Sequence, residues 1–179
     1  MTKYRNRFAH LVFRALALAS FALVAGCIDA AEPILTDGQP LLGERLSLQL
    51  FALQDGTARD PGTATFMFQD GRYVQTGGSE NSLGDFTLHA FAGADFIAQT
   101  VKAGLPAEYA IVRKLVDGAY LVFVIEESDA DEATRNKFCS GEFRMSCRVS
   151  TREAVLAFAR ATAAKPHQSG GLVLLMAEP

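Results

Sequence analysis

From residue 43 onward, short apolar runs alternate with turn signals, and within the runs apolar and polar residues alternate with the period of two that suits a half-buried strand. Residues 46–53 open the series. Residues 63–69 and 72–76 flank Asp70-Gly71, 86–91 and 96–101 flank Gly93-Ala94-Asp95, and 109–116 and 119–125 flank Asp117-Gly118. Asp-Gly between two apolar runs is a strong hairpin signal, because the tight two-residue turn needs positive φ at both central positions. The three turns recur about 23 residues apart and predict three successive hairpins in a meander. The run 119–125 (AYLVFVI) is apolar almost throughout, which predicts a strand covered on both faces.

Two further segments complete the pattern. The acidic run 126–132 (EESDADE) reads as a solvated loop. Ser150-Thr151-Arg152-Glu153 reads as a capping box with Ser150 as N-cap, opening a helix to about residue 164. Val155, Phe158, Ala159 and Thr162 fall on one face of that helix with Leu156 beside them, and Pro166 closes it. Gly170-Gly171 then leads into a last strand, 172–176. The expectation is a mainly β domain over 43–179: an antiparallel meander of about eight to nine strands with one helix before the last strand. Such a sheet curls into a barrel or folds into a sandwich, and closure into a barrel removes its sticky edges.

The first 26 residues are of another kind. They hold Lys3, Arg5, Arg7 and Arg14 and no acid, and residues 15–25 are apolar except for Ser20. A basic start, an 11-residue apolar core and small residues at its end describe a secretory signal peptide. Arg14 and Asp29 bound a run too short to span a bilayer, which takes about 20 apolar residues. Val24-Ala25-Gly26-Cys27 resembles the lipobox of bacterial lipoproteins. That resemblance implies cleavage before Cys27 and acylation of Cys27. Residues 28–42, with Pro33, Asp37, Gly38 and Pro40, read as a short tether that follows the lipidated Cys27 and lifts the domain off the membrane. It also implies the outer membrane, facing the periplasm, because Ile28 and not Asp follows the cysteine.

Composition narrows the partners. Four of the 17 basic residues lie in the leader with none of the 20 acids, so residues 27–179 carry 13 bases against 20 acids. A domain of net charge −7 has no electrostatic reason to bind nucleic acid. With Cys27 assigned to lipid, Cys139 and Cys147 form an even pair in an oxidising compartment and are expected to be bridged. Seven intervening residues do not fit a Cys-x-x-Cys redox motif, and no His or second Cys pair stands near to complete a zinc site.

The search for chemistry comes back empty: no catalytic residue, metal site or cofactor is assigned. His89 lies in a predicted strand and His167 in a loop, without a Gly-x-Ser-x-Gly elbow or a His-Glu-x-x-His. Asp129 and Asp131 have the spacing that opens a calcium loop, but Ala133 stands where the next ligand belongs and the turn glycine is missing. A hydrolase would need His89 brought to Asp85 or Asp95 and a hydroxyl.

The order of anchor, meander, late helix and final strand is similar to that of bacterial lipocalins, with Tyr109-Ala110-Ile111-Val112 and Asp117-Gly118-Ala119-Tyr120-Leu121-Val122 similar in style to one of their hairpins. The chain departs from that family in having no Trp, and only Gly43-Glu44-Arg45 where the family carries Gly-x-Trp. Two readings follow. One is a non-enzymatic, membrane-anchored accessory module with an envelope protein partner. The alternative is a carrier of a small apolar ligand in a hollow barrel, and a filled core would exclude it.

Overall fold

The computed structural model describes residues 26–54, 57–78, 84–102, 104–140, 147–166 and 170–176. Its strands are β1 (Ile28–Ala30), β2 (Arg45–Gln54), β3 (Thr57–Gln69), β4 (Arg72–Gly78), β5 (Phe86–Ala92), β6 (Asp95–Thr100), β7 (Ala107–Val116), β8 (Ala119–Val124), β9 (Cys147–Arg148) and β10 (Gly170–Leu175). The helices are α1 (Glu132–Phe138) and α2 (Arg152–Ala163). From β2 to β8 each strand pairs antiparallel with the next, and β10 returns between β8 and β2. The sheet therefore closes into an eight-stranded antiparallel barrel, the curled form of the predicted meander.

The three turns form where expected but not all alike. Asp70 and Gly71 both take positive φ, 49° and 77°. At the other two turns only Gly93 (59°) and Gly118 (79°) do so, and register shifts between Ala90 and Ala92 and between Lys114 and Val116 absorb the strand twist instead. The β2–β3 hairpin also runs longer than its apolar pattern. A register shift between Leu50 and Ala52 lets β3 carry Pro61, ahead of residue 63 where the apolar pattern begins.

Alternation sorts the strands into two cores. Leu46, Leu48, Phe66, Tyr73, Leu88, Val112, Tyr120 and Val173 form the barrel's inner cluster, with Tyr73 stacked on Phe86 at 5.0 Å. Ile97, Tyr109, Ile111, Phe123 and Ile125, of the opposite parity, form an outer cluster with Val155, Phe158 and Ala159 of α2. Hence β8 is apolar throughout: it is covered on both faces.

The helix ends differ from the sequence expectation. Thr151, not Ser150, is the N-cap of α2, and its Oγ1 accepts from the Ala154 N–H at 3.2 Å. Glu153 does not reach back to close a capping box; it pairs with Lys137 of α1 at 2.9 Å. At the far end the Arg113 guanidinium donates to the Ala163 carbonyl (3.0 Å) and to Asp95 (3.0 Å), pinning the helix to the barrel wall. The acidic run is only in part a solvated loop. Residues 127–129 form a turn of 3-10 helix, Asp129 pairs with Lys165 at 3.2 Å, and Asp131 caps α1 by accepting from the Thr134 N–H at 2.7 Å. Hydrogen bonding to the Thr134 side chain first, and to its N–H second, holds the Asp131 carboxyl below the usual carboxylate range. Helix α1 is an element the charged sequence had concealed.

The largest correction concerns residues 27–42. Ile28 and Ala30 are buried in the outer core, and β1 pairs antiparallel with the start of β7 and parallel with β9. The chain then crosses the barrel wall. The buried amide of Gln99 accepts from the Ile34 and Leu35 N–H groups (2.9 Å each) and donates to the Leu35 carbonyl (3.0 Å) and to Thr87 Oγ1 (3.2 Å). Further on, the Gln39 N–H donates to Leu88 O at 3.0 Å, and the Tyr73 hydroxyl accepts from the Leu42 N–H and donates to Gly43 O. Strands β4 and β5 share only the register pair Tyr73↔Phe86, so this strap covers their seam. At Gly38 the approach is so close that a Cβ would lie 2.2 Å from Gly71 O. A freely swinging tether does not fit these contacts: Ile28, Ala30 and Leu35 are buried on the barrel, while residues 31–33, 36–37 and 39–40 are exposed.

The Cys139–Cys147 disulfide is present, with Cα atoms 4.8 Å apart, and ties the end of α1 to β9. The chain-entropy account gives such a nine-residue loop about 2.5 kcal/mol.

Candidate functional site

The small inner residues Ala98 and Ala110 leave space between Phe86 and Leu88 on one side and Val112, Val122 and Val173 on the other. The space is an apolar cavity of about 210 Å³, and six of the eight barrel strands contribute to its wall. Its lining runs with period two, through Ala98 and Thr100, Ala110 and Val112, and Val122 and Val124, so it lies on the barrel's inner face. It opens at the end where Thr100, Glu108 and the half-exposed Val124 form a rim. The Glu108 N–H donates to Thr100 Oγ1 at 2.9 Å, which holds the two rim residues together. An apolar cavity of about 150 Å³ suffices for benzene, whereas drug-sized molecules need roughly 300 Å³ or more. This interior can therefore take a small apolar body or a segment of a longer one.

A second recess, also about 210 Å³, adjoins the first: Thr100 and Glu108 line both. Its other walls are Cys27, Asp29, Lys102, Leu105 and Pro106. Cys27 is held there by a bridge to Glu126, and the Gly26 carbonyl accepts from the Glu127 N–H at 2.6 Å. Burial pushes the Cys27 thiol above its ordinary pKa, and Glu126, Glu108, Asp29 and Glu127 add to the effect. A thiol so placed is a poor nucleophile. A wider and more open recess of about 750 Å³ mixes Glu32 and Asp85 with Arg72, Lys102 and Arg148, so its charges largely offset one another.

The remaining candidates are engaged in structure. His89 Nε2 lies 2.8 Å from Thr87 Oγ1, the hydroxyl that also accepts from Gln99. Burial first and Arg152 second lower the His89 pKa, which favours a neutral ring. The carboxylates a triad would require are committed: Asp95 to Arg113, and Asp85 to the Gln75 N–H at 3.1 Å. His167 lies outside the described residues. Asp129 and Asp131, the two calcium candidates, serve Lys165 and the α1 cap. Glu127, Cys139 and Cys147 stand within 4.8 Å of one another, but sulfurs joined in a disulfide offer no thiolate to a metal.

Sequence reasoning missed the cavity and Gln99. The signal for the cavity was one small residue of inner parity on each of two successive strands, Ala98 and Ala110, which the register then pairs. No helix among the described residues is long and apolar enough to cross a membrane. Comparison with family models, with curated proteins and with solved structures finds no match to this chain.

Proposed function

We propose that this chain is an envelope lipoprotein, acylated at Cys27, whose barrel binds a small apolar ligand or one segment of a longer one. Of the two readings of the sequence, the non-enzymatic accessory module with a protein partner and the carrier, the second is favoured by one observation: the barrel core is not filled. The cavity between Ala98, Ala110 and Val112 has an apolar wall and an open rim. Burial of each ligand methylene there contributes about 0.8 kcal/mol, so affinity is expected to rise with the length of hydrocarbon the cavity admits. The wall offers no polar group deep inside to orient a hydrogen-bonding ligand, which makes selection by shape and length the expected mode.

The test fills the cavity. Ala110→Phe places a ring on the inner face without touching the outer core. Titration with the apolar fluorophore N-phenyl-1-naphthylamine is expected to show saturable binding to the Cys27→Ser chain, which carries no anchor lipid and in which Ala110→Phe is also made. In the variant, binding should be weaker by about tenfold or more, a loss of ~1.4 kcal/mol, at an unchanged melting temperature. Equal binding by both proteins would place the probe elsewhere and refute the carrier reading.

A further inference from the structure

We infer that the barrel's occupant is the end of a single linear acyl chain, threaded in past Thr100 and Glu108 from the Cys27 side. The inference rests on the reading of the barrel as an apolar binding site and of Cys27 as the acylated residue. Three observations carry it further than that reading. First, the cavity is below the size that engulfs a drug-sized ligand, yet it is open at one end. An occupant that enters and still projects out matches a chain and not a compact molecule. Second, the mouth and the Cys27 recess share two residues, so the sulfur that would carry the lipid stands one recess away from the cavity. Third, the strap leaves no slack. Ile28 is fully buried and its N–H donates to Ile125 O at 3.1 Å, so the residue next to Cys27 is fixed to the barrel wall.

Together these put the barrel's open rim against the surface that holds the anchor. Leu105, 58% exposed, and Val124, 44% exposed, present apolar surface at the same end. A chain reaching the cavity can come from the lipid on Cys27 itself or from a neighbouring lipid of the bilayer. The chemistry is one, a linear hydrocarbon with its polar end left outside.

The chain has no Trp, so Phe86→Trp on the cavity wall gives a single reporter, with Phe96→Trp as the second should the first fail to fold. The full acylated chain and its Cys27→Ser counterpart would be placed in vesicles of phosphatidylethanolamine and phosphatidylglycerol containing chain-brominated phosphatidylcholine. Loss of Trp emission in both proteins supports the inference and identifies a bilayer lipid as the source. Retained emission, with N-phenyl-1-naphthylamine taken up by the Cys27→Ser protein and excluded from the acylated one, supports it and identifies the protein's own anchor. Retained emission with equal probe uptake by both overturns the inference and leaves the carrier reading standing. Absence of probe uptake in both overturns the two together.

Discussion

Gln99→Leu is expected to lower the unfolding free energy by about 4 kcal/mol, because it orphans several buried groups at once. The Gln99 side chain is fully buried and satisfies the N–H groups of Ile34 and Leu35, the Leu35 carbonyl and the Thr87 hydroxyl. Leucine keeps most of the volume and supplies none of these partners. Each backbone group left dry costs about 1–3 kcal/mol, and a seam held by one register pair loses the strap that covers it. Thr87→Val removes one bond of the same network and is expected to cost only about 1 kcal/mol. Urea unfolding followed by circular dichroism measures both. A Gln99→Leu effect no larger than that of Thr87→Val would mean that the strap is not clamped as described.

The second large effect is expected one residue from the proposed lipid site. Ile28→Ala should destabilise the protein by about 3 kcal/mol, the usual cost of truncating a fully buried Ile, because Ile28 packs in the outer core and is 0% exposed. A residue in a free tether would change stability by no more than about 0.5 kcal/mol. Alanine is chosen so that no charge is introduced beside Cys27. A shift in the urea midpoint at unchanged slope is the predicted signature, and an unchanged midpoint would restore the tether.

These two residues also mark where sequence reasoning stopped. The hairpins were legible because their information is local: Asp or Gly at the turn, alternation on either side, and a period of two over five to seven residues. Helix α2 was legible in the same way, with an error of one residue at its cap because Ser150 and Thr151 are chemically equivalent candidates. The disulfide followed from parity and compartment. By contrast β1 is three residues long, and its partners lie near residues 107–108 and 147–148. No periodicity exists over three residues, and its stabilising contacts are all non-local. Gln99 is a polar residue within the predicted strand 96–101, and the alternation of that strand does not tell a buried polar position from an outward one. What buries it is the strap laid over that face, and that follows only from the tertiary fold. The cavity depends on closure as well, since the register partners Ala98 and Ala110 come to share a void with Leu48 of β2 and Val173 of β10 only when the ring closes.

Native mass spectrometry of the Cys27→Ser chain, which carries no anchor lipid, tests most directly the claim that the barrel is an apolar container. Before and after incubation with methyl decanoate, its spectrum would be compared with that of the same chain carrying Ala110→Phe. The account predicts a non-covalent adduct on the Cys27→Ser protein that is lost on denaturation, and no adduct once Ala110→Phe is added. Bare masses for both proteins under every condition would contradict it, and the interior would then be a structural void with no ligand to hold.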